Sequence, residues 1–297
     1  MRITQRMTMD NVQRNLAAGP EALAALQDQI ASGKRLHRAS DDPRGVSTAL
    51  SLEALSRQND QYLRNIDSAK SWLDATGSAL DRLGSLLSNA RDLAVRGATE
   101  TLGVDERKAL GKQMDGLLSE ALSVVNSTLD GKYLFAGFAT DSAPFAADGS
   151  FTQAPSGPVG DMKREIRSGV EVVINLRGNC LVDGQMPLQR ALTTLIALRD
   201  DLNAGNSVSA GSLQDLDSCS SGVVALQGEV GAMSSRLEAT EKSLNDEQVS
   251  VAARLSKVMD TDMAEAVTQL TAQETAYQTA LEAAARVLQP SLLDFLR

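Results

Sequence analysis

Apolar side chains recur with alternating four- and three-residue spacing along residues 62–97. This is the heptad pattern of an amphipathic helix that packs against other helices. At 1.5 Å per residue the pattern predicts an uninterrupted helix of about 54 Å. The positions of this central stripe are Tyr62, Ile66, Ala69, Leu73, Thr76, Leu80, Leu83, Leu87, Ala90, Ala94 and Gly97.

Further helical patterns follow the central stripe. Gly97 and Gly103 interrupt it, and Asp105 and Glu106 are suited to the start of a second helix. The short connection predicts that this helix folds back antiparallel on the first. Its stripe is Leu110, Met114, Leu117, Ala121, Val124 and Thr128, and helical patterns return over 188–202 and 216–244.

Both ends of the chain carry one narrow apolar stripe each. Such helices are marginal alone in water, so we expect the stripes to pack on each other or on neighbouring subunits. Gly19-Pro20 is expected to kink or break the first helix, and Glu274 interrupts the last stripe. The predicted assembly interface comprises Met9, Leu16, Leu23, Leu26, Ile30, Met263, Val267, Leu270, Tyr277, Leu281 and Leu288.

The middle of the chain differs from the helical regions. Prolines and glycines concentrate after residue 130, and residues 170–177 alternate like a strand. We therefore predict a mainly α fold: an elongated antiparallel helical bundle or coiled coil formed by both chain ends, with a small β-containing outer domain inserted in the middle. The predicted segments are 1–40 (N-terminal helix), 41–140 and 188–257 (bundle), 141–187 (β insert) and 258–297 (C-terminal helix).

Composition excludes several functional classes. A formal net charge of -9 and a sequence pI of about 4.8 disfavour nucleic acid and anionic membranes as partners. His37 is the only histidine, so a Ser-His-Asp triad has one candidate base and a multi-histidine metal site cannot form. Cys180 and Cys219 lack a metal or redox spacing and are expected to stay unpaired. We expect no metal and no cofactor.

A short polar segment connects the first two predicted helices. Residues 29–43 read QIASGKRLHRASDDP. Gly33 suits the position after a helix end, Asp42 suits an N-cap and Pro43 the first helical position, with Ser40 and Asp41 just before them. The whole string closely resembles the N-terminal signature of the flagellin family.

Two other segments extend this resemblance. Residues 133–137, YLFAG, resemble the segment that leads to the outer domain in the hook-filament junction members of the family, and residues 260–297 resemble the flagellin-type tail. The resemblance implies a structural subunit of the bacterial flagellum, exported unfolded through the flagellar secretion channel and assembled as a ring outside the cell. The implied partners are copies of itself, a hook-side junction protein, flagellin and a flagellar export chaperone.

Three alternatives compete with a junction subunit. Flagellin itself shares the terminal helices and the connecting segment, but YLFAG and the small insert argue against it. An intracellular coiled-coil scaffold would explain the heptads and the acidity, but not the terminal signatures. An enzyme would need acidic pairs such as Asp41 and Asp42 or Asp200 and Asp201, and adjacent carboxylates at helix caps are usually solvated. The sequence therefore predicts no catalysis.

Overall fold

The computed structural model describes residues 5–152, 160–180, 182 and 186–288. This part of the chain is mostly helical, with short strands in the middle, as predicted. Its helices are α1 (Gln5–Ser32), α2 (Pro43–Gly97), α3 (Val104–Val125), α4 (Pro187–Asn203), α5 (Ala210–Met259) and α6 (Met263–Leu288). Its strands are β1 (Thr128–Leu129), β2 (Lys132–Tyr133), β3 (Lys163–Arg167) and β4 (Val170–Val173).

The chain forms two compact units. The central unit is Asn59–Asp246, and the terminal unit combines Met1–Gln58 with Glu247–Arg297. Both unit boundaries lie inside long helices, α2 and α5. The five segments proposed from the sequence remain a prediction about domain organisation.

Long antiparallel helices build the central unit. Every position of the central stripe on α2 is buried. Ion pairs tie α2 to α5, with Lys70 Nζ 2.9 Å from Glu241 and Arg91 Nε 2.6 Å from Asp217. From the first pair to the second, the residue number increases on α2 and decreases on α5, so the two helices run antiparallel.

Helices α3 and α4 complete the bundle. Arg82 on α2 pairs with Glu120 on α3 at 3.1 Å, and Gly97 lies near the side chain of Leu110. These contacts confirm the predicted antiparallel return of the second helix. The predicted end of that helix is wrong, since α3 ends at Val125 and Thr128 lies in β1.

The β segments form two short antiparallel hairpins. Asp130 and Gly131 connect β1 to β2 with φ of 52° and 77°, an Asp-Gly turn that suits tight hairpins. The strand predicted over residues 170–177 ends at Val173. Residues 174–176 are all buried, so the in-out alternation that defines a half-buried strand stops there.

The insert shares the core of the helices. Phe145, Ile166, Val172, Ile174 and Leu176 are buried in the same hydrophobic cluster as the central stripe. Phe145 and Phe151 meet edge to face, with ring centroids 5.4 Å apart. The β segments therefore contribute to the packing of the central unit.

In the terminal unit, α1 packs on α6. The contact is close at Gly19, where an added Cβ would overlap the ring of Tyr277. Helix α1 continues through Pro20, so the helix is not broken there, and the kink stays a prediction. Proline has a helix-compatible φ, so a helix can continue through it with the loss of one backbone hydrogen bond.

Candidate assembly interface

The connector, residues 33–42, joins α1 to α2. Gly33 has φ of 69°, a left-handed conformation that favours glycine, and its N–H donates to the Gln29 carbonyl at 2.9 Å. At the other end Oδ1 of Asp42 accepts the Gly45 N–H at 2.9 Å, just as α2 begins at Pro43. The residues thus end one helix and cap the next.

Asp41 shapes the turn inside the connector. Its Oδ2 accepts backbone N–H groups of Arg38 at 2.9 Å and His37 at 3.3 Å, and Ser40 donates to its Oδ1 at 3.4 Å. The hydrogen bond from the Arg38 N–H, followed by those from His37 and Ser40, holds the pKa of Asp41 below its usual value. The pKa of Asp42 is lowered likewise, first by the Gly45 N–H and then by the Arg35 charge. Both carboxylates stabilise local backbone structure.

The connector is bound to the segment between α5 and α6. The Arg35 N–H donates to the Met259 carbonyl at 2.6 Å, and the Thr261 N–H donates to the Gly33 carbonyl at 3.0 Å. The Arg35 side chain also donates from Nη2 to the Val258 carbonyl at 3.1 Å. We call these contacts between residues 33–35 and 258–261 the clasp. The clasp links the N-terminal and C-terminal parts of the terminal unit.

Residue 262 starts the last helix. Oδ1 of Asp262 accepts the N–H groups of Ala264 at 2.9 Å and Glu265 at 3.2 Å, which is the geometry of an N-cap. The clasp and this cap together fix where α6 begins. Neither the clasp nor its residue Arg35 had a periodic signal in the sequence.

The predicted stripe on α6 divides into two rows. The first row packs toward α1: Met263 at its start is 46% exposed, Leu270 and Tyr277 are half-buried, and Ala284 is 4% exposed. The second, which we call the outer row, stays exposed: Val267 (46%), Glu274 and Leu281 (44%). Within the described residues, two apolar side chains of α6, Val267 and Leu281, therefore stay largely uncovered on either side of Glu274.

The predicted stripe on α1 is only partly covered. Leu16, Leu23, Leu26 and Ile30 are half-buried. Met9 and Leu288 lie in α1 and α6, but their side chains are outside the described part of the structure. The tail motif over 291–296 also lies outside it.

The chemistry of the described residues fits a structural role. Within them no group of three or more acidic, histidine or cysteine side chains could hold a metal ion. The helices in the same part of the chain include none that is long and apolar enough to cross a bilayer. Cys219 is buried and Cys180 half-buried, both as free thiols, and burial raises the pKa of each.

The comparisons with known proteins agree with this architecture. The model of the bacterial flagellin N-terminal helical region matches residues 3–140, and that of the bacterial flagellin C-terminal helical region matches residues 213–296. The first match contains the connector, and the second contains the clasp segment and α6. The N-terminal and C-terminal parts of the terminal unit thus each match a helical region of bacterial flagellin.

Individual relatives cover nearly the whole chain. Flagellar hook-associated protein 3 of Escherichia coli is 24% identical over 95% of this chain and 96% of its own length. A flagellin of Halalkalibacterium halodurans is 24% identical over 91% of this chain and 90% of its own. The crystal structure of Bacillus cereus FlgL superposes with a TM-score of 0.60 at 21% identity, over 69% of this chain and 99% of that one. The chain belongs to the bacterial flagellin family, whose members are structural proteins of the flagellum.

Proposed function

We propose that this chain is a junction subunit of the bacterial flagellum that assembles into a ring through its terminal helices. The observation that carries the proposal is the outer row of α6, where Val267 and Leu281 are nearly half exposed. Val267 and Leu281 stand two heptads apart on the same side of α6, with Glu274 between them. Apolar side chains in heptad register are the usual means by which one helix recognises another. A second copy that covers this row would remove its apolar surface from water.

The YLFAG segment favours the junction over the filament. The length of the alignments does not separate the two roles, because a hook-associated protein of E. coli covers 95% of this chain and a flagellin of H. halodurans covers 91%. The YLFAG segment lies in the core of the central unit, with Leu134, Phe135 and Ala136 buried at 2%, 1% and 0% exposure. Its last residue, Gly137, has φ of 65°, so this segment fixes the route from the hairpin into the insert.

The partners follow from this position in the flagellum. We infer that the ring contacts a hook-side junction protein on one side and flagellin on the other, after export with a flagellar chaperone to the cell exterior. A catalytic role has no support in the geometry. Asp41 and Asp42 bind backbone N–H groups, and Asp200 pairs with Arg199 at 2.7 Å.

The test is complementation of a flagellated bacterium that lacks its own junction protein. A tagged wild-type chain should restore filaments and appear by electron microscopy as one band at the base of each filament. Val267→Glu combined with Leu281→Glu should abolish this, because two charges would be placed in the outer row. Val224→Glu is the matched control, since Val224 is 61% exposed on α5 and lies outside the predicted stripe.

Two results would contradict the proposal. Labelling along the whole filament would identify the chain as a flagellin. Absence of the intact, folded wild-type protein from flagella would exclude both flagellar roles.

A further inference from the structure

Asn59 continues the central stripe of α2 toward the start of the helix. It lies four residues after Leu55 and three before Tyr62, so it occupies a position where the heptad pattern predicts an apolar side chain. The residue is buried, at 2% exposure. Its Nδ2 atom has no hydrogen-bond partner among the described residues. A buried amide group without a partner destabilises the folded structure, because the same group is hydrogen-bonded to water when it is exposed.

Other buried side chains of the central unit contribute more to its stability. Thr76, also in the central stripe, is buried and donates from Oγ1 to the Trp72 carbonyl at 2.8 Å. Asn175 is 3% exposed and binds two backbone groups, at 2.7 and 3.3 Å. The Nε1 atom of Trp72 is unpaired as well, but its large ring lies in the hydrophobic cluster. The buried Nδ2 of Asn59 provides neither a hydrogen bond nor apolar surface.

Asn59 is the first residue of the central unit. The division between the two compact units falls directly before it, although α2 continues through this point without interruption. The last buried apolar residue of α2 before Asn59 is Leu52, at 5% exposure. The buried stripe of α2 is therefore interrupted by a polar group where one unit ends and the other begins.

The other helix that crosses the unit division, α5, has a polar residue in its stripe there too. Gln248 lies four residues after Leu244 and three before Val251, which are buried at 0% and 2% exposure. Its Nε2 donates to Oγ of Ser56 at 3.1 Å, within the terminal unit. Continuous apolar packing makes neighbouring segments open together, so a polar interruption in both long helices allows them to open separately.

We propose that Asn59 is the boundary residue at which opening of the terminal unit stops. When residues 43–58 open, the Asn59 amide gains hydrogen bonds to water, which favours opening as far as this residue. Opening farther along α2 would expose Tyr62, Ile66 and the rest of the central stripe, and the burial of this apolar surface opposes it. The terminal unit can thus change conformation while the central unit stays folded. The inference concerns a single copy and does not depend on the proposed function.

Amide hydrogen exchange on the full-length monomer tests this boundary. In wild type, residues 43–58 should exchange at least about tenfold faster than residues 62–73 of the same helix. Asn59→Leu, a replacement of similar size, should slow exchange over 43–58 by about tenfold, because the stripe becomes continuous and no buried amide is left to hydrate. Thr76→Val is the matched control. It also makes a buried stripe position apolar, but the Thr76 hydroxyl already has a partner, so exchange over 43–58 should not slow.

Either of two results would overturn the inference. One is equal protection of 43–58 and 62–73 in wild type, which would mean that no boundary exists at Asn59. The other is unchanged or faster exchange over 43–58 in folded Asn59→Leu. Asn59→Met is a second replacement with a more adaptable side chain, and thermal unfolding shows whether each variant folds. If neither folds, the wild-type comparison decides alone.

Discussion

The central and terminal units carry the same heptad spacing but bury it differently. On α2 every position of the central stripe is buried, from Tyr62 to Gly97. On α6 the positions of the outer row remain exposed, at 46% for Val267 and 44% for Leu281. The central unit has enough neighbouring helices to surround its stripe, whereas α6 packs mainly on a single helix, α1.

This difference shows how one pattern serves two purposes. In the central unit the stripe supplies the stability of the folded subunit. In the terminal unit the same pattern supplies a surface whose burial we assign to assembly. Substitutions in the central stripe should therefore mainly destabilise the monomer, and substitutions in the outer row should mainly weaken assembly.

The largest effect on the monomer is expected from the core of the central unit. Leu80 is fully buried, and Leu80→Ala should lower the free energy of unfolding by about 2–5 kcal/mol through lost burial and a cavity. The same change at the exposed Leu281 should cost less than about 0.5 kcal/mol. Urea unfolding of the purified monomers measures both free energies. An equal loss in the two variants would show that the units do not differ in how they bury their stripes.

A smaller effect is expected where α1 meets α6. Gly19→Val would force Cβ against the Tyr277 ring and should weaken this pairing by about 1–3 kcal/mol. Gly116→Val is the matched control, since Gly116 is exposed on α3 and an added Cβ would meet nothing within 4 Å. Amide exchange in α6 should accelerate only in the first variant. Unchanged exchange would mean that the close approach does not hold the two helices together.

Acid should loosen the connector before the core of the central unit. The pKa values of Asp41 and Asp42 are lowered in the folded protein, so their stabilising effect is complete above the ordinary carboxyl value of about 3.9 and is lost as pH falls through the lower folded values. Carboxyl NMR shifts should titrate below that ordinary value. Asp42 pairs with the clasp residue Arg35, so in Asp42→Asn the clasp should open less sharply as the pH falls than in wild type. An identical acid response in the two proteins would show that Asp42 does not stabilise the clasp.

The smallest effect on the monomer is expected at Glu274. This residue is exposed and lies between Val267 and Leu281 in the outer row, so Glu274→Leu should change monomer stability by less than about 0.5 kcal/mol. It should, however, increase self-association in sedimentation velocity experiments, because it completes an apolar row. Glu282→Leu, also exposed on α6 but outside the row, is the control. Equal association of both variants would argue against a specific face.

Much of the fold was predictable because periodicity records burial. The central stripe, the antiparallel return of the second helix and the mainly α fold with a β insert all follow from spacing and turn residues. The family was recognisable from the connector string and the tail. These features depend on residues close together in the sequence, so they can be recognised from one sequence without knowledge of its long-range contacts.

The remaining features depend on contacts between distant segments. Arg35 reaches a carbonyl 223 residues away, and backbone hydrogen bonds of the clasp leave no side-chain pattern. The division of the α6 stripe into two rows depends on how many helices surround it, which spacing does not specify. The strand predicted to reach residue 177 stops at Val173, because the next three residues enter the shared core.

Hydrogen exchange on a dilute, verified monomer tests the contrast between the units most directly. We predict that amides in α1 and α6 exchange at least about 100-fold faster than those over Tyr62–Gly97, because a pair of helices with an uncovered row opens more easily than the surrounded core. The same α1 and α6 amides should become protected in assembled flagella. Strong protection of both helices in the monomer, equal to that of the central stripe, would show that the terminal helices are self-sufficient and would contradict assembly-coupled ordering.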